Sequence, residues 1–241
     1  MNHFGLIGKN ISYSFSEKYF TDKFRKESIF NSNYKTIDLN EISEINHIIQ
    51  EKELKGFNVT IPFKEQIIPY LDELDSTAKN IGAVNCVKVQ GNKKIGFNTD
   101  VYGFKKSFQP LLQSHHKSAL ILGSGGASKA VCFVLNELNI PYKIVSRVGG
   151  FTYKDVTAKT LCENTIIINT TPVGTFPKVE EKPSIPYAYI TEDHLLFDLI
   201  YNPSKSKFLQ EGEIRGAKIK NGYEMLVLQA EKSWEIWNQS L

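Results

Sequence analysis

Ala119-Leu120-Ile121-Leu122-Gly123-Ser124-Gly125-Gly126-Ala127-Ser128 is the stretch that decides the fold. Four apolar residues make a short buried strand, a glycine-rich turn follows at once, and an apolar-periodic segment continues as a helix to about Leu138. A strand that enters a helix through such a turn is a phosphate-binding opening. Gly123 permits the tight turn, and Gly125 lets the backbone approach a pyrophosphate. The helix start at Gly126 and Ala127 offers free N–H groups and the positive end of the helix dipole. Ser128 stands where a third glycine would be, so the pattern is a variant of the dinucleotide fingerprint. A glycine turn alone is equally a structural turn. The next strand signal, at 142–145, ends about 20 residues on, where a dinucleotide-binding βαβ unit requires it.

The residue after that second strand chooses the cofactor. An NAD site places Asp or Glu there, to accept from the ribose 2′-hydroxyl. This chain offers Ser146-Arg147 and no carboxylate. A guanidinium suits a 2′-phosphate, so NADP is expected, with Arg147 as its anchor.

Working outward, strand and helix signals alternate. Before the turn, strands are expected at 3–8, 34–39, 56–61, 83–90 and 94–98, the last two joined by a Gly91-Asn92-Lys93 hairpin. Helices are expected at 17–30 and around Ile42, Ile45, Ile48 and Ile49, with Pro62 placed as a first-turn helical residue. After the turn, strands are expected at 165–169 and 195–200, a loop at 172–186, and a closing helix at 222–237. This alternation argues for an α/β fold with largely parallel sheets and helices on both faces, a second unit starting near Asp100.

Composition narrows the function. Hydrophobic residues make up 41% and charged residues 23%, enough for a real core. A net charge of +3 is too small to draw nucleic acid or an acidic membrane, so an anionic ligand must meet a local cluster. Cys86, Cys132 and Cys162 are odd in number and contain no C-x-x-C pair, which suggests neither a disulfide framework nor a metal site. No apolar run approaches the length of a membrane span, and the N-terminus lacks a targeting pattern. A small-molecule partner and a cytoplasmic location are expected.

Further motifs are Ile11-Ser12-Tyr13-Ser14-Phe15-Ser16, Asn58-Val59-Thr60-Ile61-Pro62-Phe63-Lys64, Gly82-Ala83-Val84-Asn85 and Gly96-Phe97-Asn98-Thr99-Asp100. Later come Asn169-Thr170-Thr171-Pro172-Val173-Gly174, Tyr201-Asn202-Pro203 and the run from Asn221-Gly222 to Gln229-Ala230. In this order they resemble the shikimate dehydrogenase (shikimate/quinate dehydrogenase) family over nearly the whole chain.

The resemblance implies a substrate-binding α/β domain at 1–100, a Rossmann-type NADP-binding domain at 101–222, and a C-terminal helix at 223–241 that returns to the first domain, with the reaction in the cleft. It implies NADPH-dependent reversible reduction of 3-dehydroshikimate to shikimate, a step toward chorismate and the aromatic amino acids, without a metal. Lys64 and Asp100 become the catalytic pair. Hydride delivery to a ketone creates an alkoxide, which a partly buried lysine held by an aspartate can protonate. Ser14 and Ser16 would hold the substrate carboxylate, although serines there also suit the start of a helix. Thr60, Asn85, Asp100 and Gln229 would line the ring hydroxyls, Lys64 would bind the substrate as well, and Tyr201 would add a contact. Gly123, Gly125, Gly126, Ala127, Ser146, Arg147 and Thr170 would bind the cofactor, with Leu199 and Gly222 at its nicotinamide.

Some positions depart from the family. Tyr13 replaces a frequent histidine, Cys86 follows Asn85 where threonine or serine is common, and Val148 and Phe151 stand where a threonine and a second basic residue are expected. The chain is also short around 149–160. His115 and His116 are expected to be solvated. Two other readings remain: a quinate/shikimate enzyme using NAD, and a non-catalytic nucleotide-binding regulator of the same fold. A monomer or a homodimer is expected.

Overall fold

Strand and helix signals assemble into two sheets. The structure, a computed structural model, describes residues 1–12 and 14–239. Tyr13, singled out above, lies outside the described residues. The chain divides into one unit of Met1–Asp100 with Gln229–Leu241 and another of Val101–Leu228.

The first unit contains β1 (Asn2–Gly8), α1 (Ser16–Lys26), β2 (Ser32–Asp38), α2 (Ile45–Glu51), β3 (Leu54–Val59), β4 (Glu73–Leu74), α3 (Ser76–Ile81), β5 (Cys86–Gln90) and β6 (Lys93–Phe97). Its sheet order is β2-β1-β3-β5-β6-β4. β1 runs parallel to β2 and β3, whereas β5 runs antiparallel to β3 and β6. This sheet is therefore mixed. The β5–β6 link is the two residues Gly91-Asn92, since Lys93 already pairs with Gln90. Gly91 has φ +59°, the left-handed conformation such a turn needs.

Two local expectations are corrected. The first helix stops at Lys26 rather than Phe30. Ser28 adopts φ +57°, and the Ile29 N–H turns back to the Phe24 carbonyl at 2.8 Å, a left-handed cap that closes the helix. No α-helix starts at Pro62; residues 61–67 form turns that lead into a single 3₁₀ turn at Ile68–Tyr70. An α-helix would need the Lys64 carbonyl for the Ile68 N–H. That carbonyl instead accepts from Val84 at 2.8 Å, and Ile68 turns to Glu65.

The rest of the chain forms α4 (Asp100–Phe108), β7 (Ala119–Leu122), α5 (Gly126–Glu137), β8 (Tyr142–Val145), α6 (Ala158–Glu163), β9 (Ile166–Asn169), β10 (Leu195–Asp198), α7 (Lys207–Glu213), β11 (Lys218–Lys220) and α8 (Tyr223–Asn238), which make up the second unit except for Asp100 and the part of α8 from Gln229 on, which belong to the first. The sheet is all parallel, in the order β11-β10-β9-β7-β8. The chain goes from β7 to β8 on one side and later resumes at β9 on the other. The order thus reverses between β7 and β9, the place where such sheets open a ligand crevice at their carboxyl ends. β7, β9 and β10 read as continuous apolar runs because both faces are covered. His116 is buried rather than solvated; its Nδ1 accepts from the Gln113 N–H at 2.9 Å, and burial holds its pKa down.

The last helix returns to the first unit. Trp237 donates to the Val87 carbonyl at 3.0 Å and stacks on Phe4 with ring centres 4.9 Å apart. A Cβ on Gly56 would lie 2.4 Å from the Trp237 ring, so only glycine lets the indole reach the sheet.

Candidate functional site

In the first unit, Lys64 and Asp100 meet. The ammonium lies 2.6 Å from Asp100 Oδ2, and the side chains are 14% and 10% exposed. Lys64 is delivered by the turn after β3, whose backbone is fixed by its bond from Val84. Asp100 opens α4, where the helix dipole favours a carboxylate.

Beside this pair runs a buried polar chain. Asn85 donates from Nδ2 to Thr99 Oγ1 at 3.0 Å and to Gln229 Oε1 at 3.4 Å, while its Oδ1 accepts from the Thr99 N–H at 2.6 Å. Thr99 also meets the Ser233 hydroxyl at 3.1 Å, and Asn58 donates to the same hydroxyl at 2.8 Å. Tyr34 in turn donates to Asn58 Oδ1 at 2.9 Å. Asn85 and Gln229 are thus brought together, and Asn85 is already engaged by protein groups. Asn58, Thr99 and Ser233 belong to this chain, although no role was read for them. Asn58 and Thr99 stand inside the quoted motifs, and Ser233 lies one helical turn beyond Gln229, the only sequence signal for it.

Ser14 and Ser16 are linked to each other, with Oγ atoms 3.4 Å apart. Ser14 Oγ also accepts from the Ser16 N–H at 3.3 Å, and neither side chain caps α1, which starts after Phe15. Ser14 opens on a cavity of about 620 Å³ that also carries Glu17, Asp22 and Asp38, but neither Lys64 nor Asp100. Thr60 follows β3, and its N–H donates to the Ile7 carbonyl at 2.8 Å.

The second unit holds the other candidates at the carboxyl ends of its strands. Gly123, after β7, has φ +110°, and a Cβ there would lie 2.8 Å from Thr170 Oγ1. Thr170, after β9, donates to the Leu122 carbonyl at 2.8 Å, so it closes the reversal point against the glycine turn. Gly125 is the N-cap of α5 and supplies no side-chain cap, and a Cβ there would meet nothing within 4 Å. The start of α5 thus carries no side-chain cap and has open space beside Gly125, an arrangement that fits a phosphate group. Ser128 turns inward and donates to the Gly125 carbonyl at 2.6 Å.

After β8, Ser146 donates to the carbonyls of Val148 and Gly149 at 2.9 and 3.0 Å, which folds the loop on itself. Arg147 is exposed. The nearby Asp155 is occupied by the Thr152 N–H and hydroxyl, each at 2.7 Å. The loop thus fits an anionic group and offers no free carboxylate to a bare 2′-hydroxyl. Leu199 and half-buried Tyr201 follow β10. Gly222 packs so closely that a Cβ would lie 2.1 Å from the Leu199 carbonyl oxygen. Among the described residues, no group of three His, Cys, Asp or Glu could hold a metal, and no helix is long and apolar enough to cross a membrane.

A parallel sheet with a glycine turn at its reversal point, in one chain with a largely buried lysine–aspartate pair, defines a class: the two-unit α/β dehydrogenases. The family model described as "Shikimate dehydrogenase substrate binding domain" matches residues 6–87. A "Shikimate dehydrogenase (NADP(+))" of Methanococcus maripaludis is 40% identical, over 97% of this chain and 90% of that protein. The crystal structure of shikimate dehydrogenase 1 from Peptoclostridium difficile superposes with a TM-score of 0.85 at 35% identity, covering 100% of this chain and 93% of that one. Shikimate 5-dehydrogenase from Thermus thermophilus, solved with NADP(H) and shikimate, gives 0.86 at 27% identity, covering 100% and 95%. The chain belongs to the shikimate dehydrogenase family.

Proposed function

We propose that this chain is an NADP-dependent oxidoreductase that reversibly reduces 3-dehydroshikimate to shikimate. The observation that carries the reading is the Lys64–Asp100 pair, 2.6 Å apart and largely shielded from water. When bound, NADPH supplies the hydride. Lys64 then donates a hydrogen bond and a proton to the oxygen that gains charge, and Asp100 holds the ammonium in place. Thr60, Asn85 and Gln229 line the ring hydroxyls. Asn85 and Gln229 reach them from a hydrogen-bond chain that fixes how their amides point. Ser14 and Ser16 take the carboxylate, and Tyr201 adds a contact.

The open turn Gly123–Ala127 takes the pyrophosphate, with Thr170 closing it, and Ser146 and Arg147 take the 2′-phosphate. Leu199 and Gly222 flank the nicotinamide. In this reading, residues 1–100 with the helix 223–241 bind substrate, and 101–222 bind the dinucleotide. The three free cysteines suit a cytoplasmic location.

The test crosses shikimate and quinate with NADP and NAD, following nicotinamide absorbance. Turnover of shikimate with NADP is expected to exceed the other three combinations. A preference for quinate with NAD would replace this reading by the degradative one, and no turnover in any arm would leave a nucleotide-binding regulator.

A further inference from the structure

Asp198 closes β10 and is fully buried, yet none of the roles above uses its carboxylate. Its Oδ1 accepts from Asn169 Nδ2 at 3.0 Å and from the Ile200 N–H at 3.1 Å. The Ser206 hydroxyl donates to its Oδ2. Asn169 closes β9, and its own Oδ1 accepts from the Thr171 N–H at 3.1 Å and the Thr171 hydroxyl at 2.7 Å. Ser206 is the N-cap of α7. One carboxylate therefore ties together the carboxyl ends of two neighbouring strands and the start of a helix.

These strand ends are where an open parallel sheet takes its ligand. The Leu199 carbonyl is restrained twice: by the bonds of Asp198 on its N-terminal side and by the close approach of Gly222. A buried carboxylate is a costly fastener. Burial pushes the Asp198 carboxyl up to about 6, against the pull of Ser206, Ile200 and Asn169. An apolar side chain would fill the place without that cost. Retaining a charge there makes sense if the strand-end geometry matters more than the stability.

We propose that Asp198 is a positioning residue: it sets the path of segment 198–201, and so holds Leu199 and Tyr201 in the places the dehydrogenase reading gives them, at the nicotinamide half of the dinucleotide and at the substrate. This rests on the dehydrogenase reading above. Asp198 acts by accepting hydrogen bonds. The adenosine half is assigned to the glycine turn after β7 and to Arg147 after β8, strands that Asp198 does not touch.

That separation provides the test. Calorimetry would compare binding of NADP with binding of 2′,5′-ADP, the adenosine half alone, alongside shikimate turnover. Asp198→Ala is expected to weaken NADP about tenfold or more and to lower kcat, with 2′,5′-ADP held within about twofold. Asp198→Asn can turn its carbonyl to Asn169 and Ile200 and its amide to Ser206, so it is expected to restore both. Equal loss of both ligands in Asp198→Ala would mean a general structural role and would overturn the proposal, as would no loss of either. Should Asp198→Ala not fold, Ser206→Ala decides in its place, with the same split expected in smaller measure. A wild type that binds 2′,5′-ADP and NADP but turns over no shikimate removes the dehydrogenase reading alone; one that binds neither removes both.

Discussion

Lys64 owes its position to backbone rather than helix: its carbonyl is held by Val84, and its ammonium by Asp100. Lys64→Ala should therefore leave the turn in place and remove the group proposed to donate the proton. We expect kcat for shikimate oxidation to fall by about 10² to 10⁴, with the thermal transition retained. Turnover at the wild-type rate would take Lys64 out of the mechanism. Arg147 presents the opposite case, an exposed side chain on a loop that ties only its own backbone. In the proposed reading it meets a dianionic 2′-phosphate, a contact worth about 1.5–3 kcal/mol, roughly ten- to a hundredfold in affinity. Arg147→Ala should weaken NADP by that factor, leave NAD nearly unchanged, and lose its effect in high salt. Equal losses for the two cofactors, measured by kcat/KM, would mean the arginine only supports the loop. Both residues stand out in the sequence because each sits in a short motif with a local meaning. Asp198 and Ser233 do not. Their partners lie at Asn169 and Ser206, and at Asn58 and Thr99, and no spacing rule brings those together.

At the scale of elements, legibility followed locality. The β7–turn–α5–β8 segment was read nearly residue for residue, because strand, glycine turn and helix start are all set by neighbours in sequence. The helix expected at Pro62 failed because the Lys64 carbonyl is taken by Val84, twenty positions away, and α1 was drawn too long because Ser28 gives no sign of its left-handed backbone. The short α3 was missed although its cap is plain in hindsight: Asp75 accepts from the N–H groups of Thr77 and Ala78, and Gly82 ends it at φ +67°. The closing helix was legible, but not what anchors its end. Lys88, buried on β5, donates to the carbonyls of Ile236 and Gln239, in the last turn of α8 and just beyond it. Burial holds the Lys88 pKa down, so the ammonium is retained at a cost and these two bonds offset it. Lys88→Met keeps the stem but takes this donor away from both carbonyls. We expect a loss of about 1–3 kcal/mol, seen as a lower thermal midpoint with 2′,5′-ADP affinity unchanged. An unaltered midpoint would show that water replaces the ammonium at no cost.

Across the whole molecule, stability against pH sums opposing groups. In the first unit, burial raises Glu17, but the Thr36 N–H and Lys35 outweigh it and hold the carboxyl below its ordinary value. Its contribution is present at neutral pH and is lost as the pH falls. Asp198 in the second unit does the reverse. Its carboxyl stands at about 6 when folded against an ordinary 3.8. Between those values the folded protein holds a proton that the unfolded chain has released, so stability falls as the pH rises from about 4 to about 6 and then levels. A shift of roughly two pH units corresponds to about 3 kcal/mol. A melting curve of the wild type alone mixes this slope with that of Glu17 and cannot separate them. Asp198→Asn can, because asparagine imitates the protonated carboxyl at every pH and leaves Glu17 as it is. At pH 4 the two proteins should melt together. As the pH rises from about 4 to about 6, the variant should become the more stable, by about 2–4 °C in midpoint for each kcal/mol removed, and the gap should then hold steady. The gain should appear in the transition that unfolds the second unit. A difference that stays constant from pH 4 to pH 8 would show that the carboxylate is ionised in the folded protein throughout, stabilised by its three donors, and that burial imposes no penalty on it.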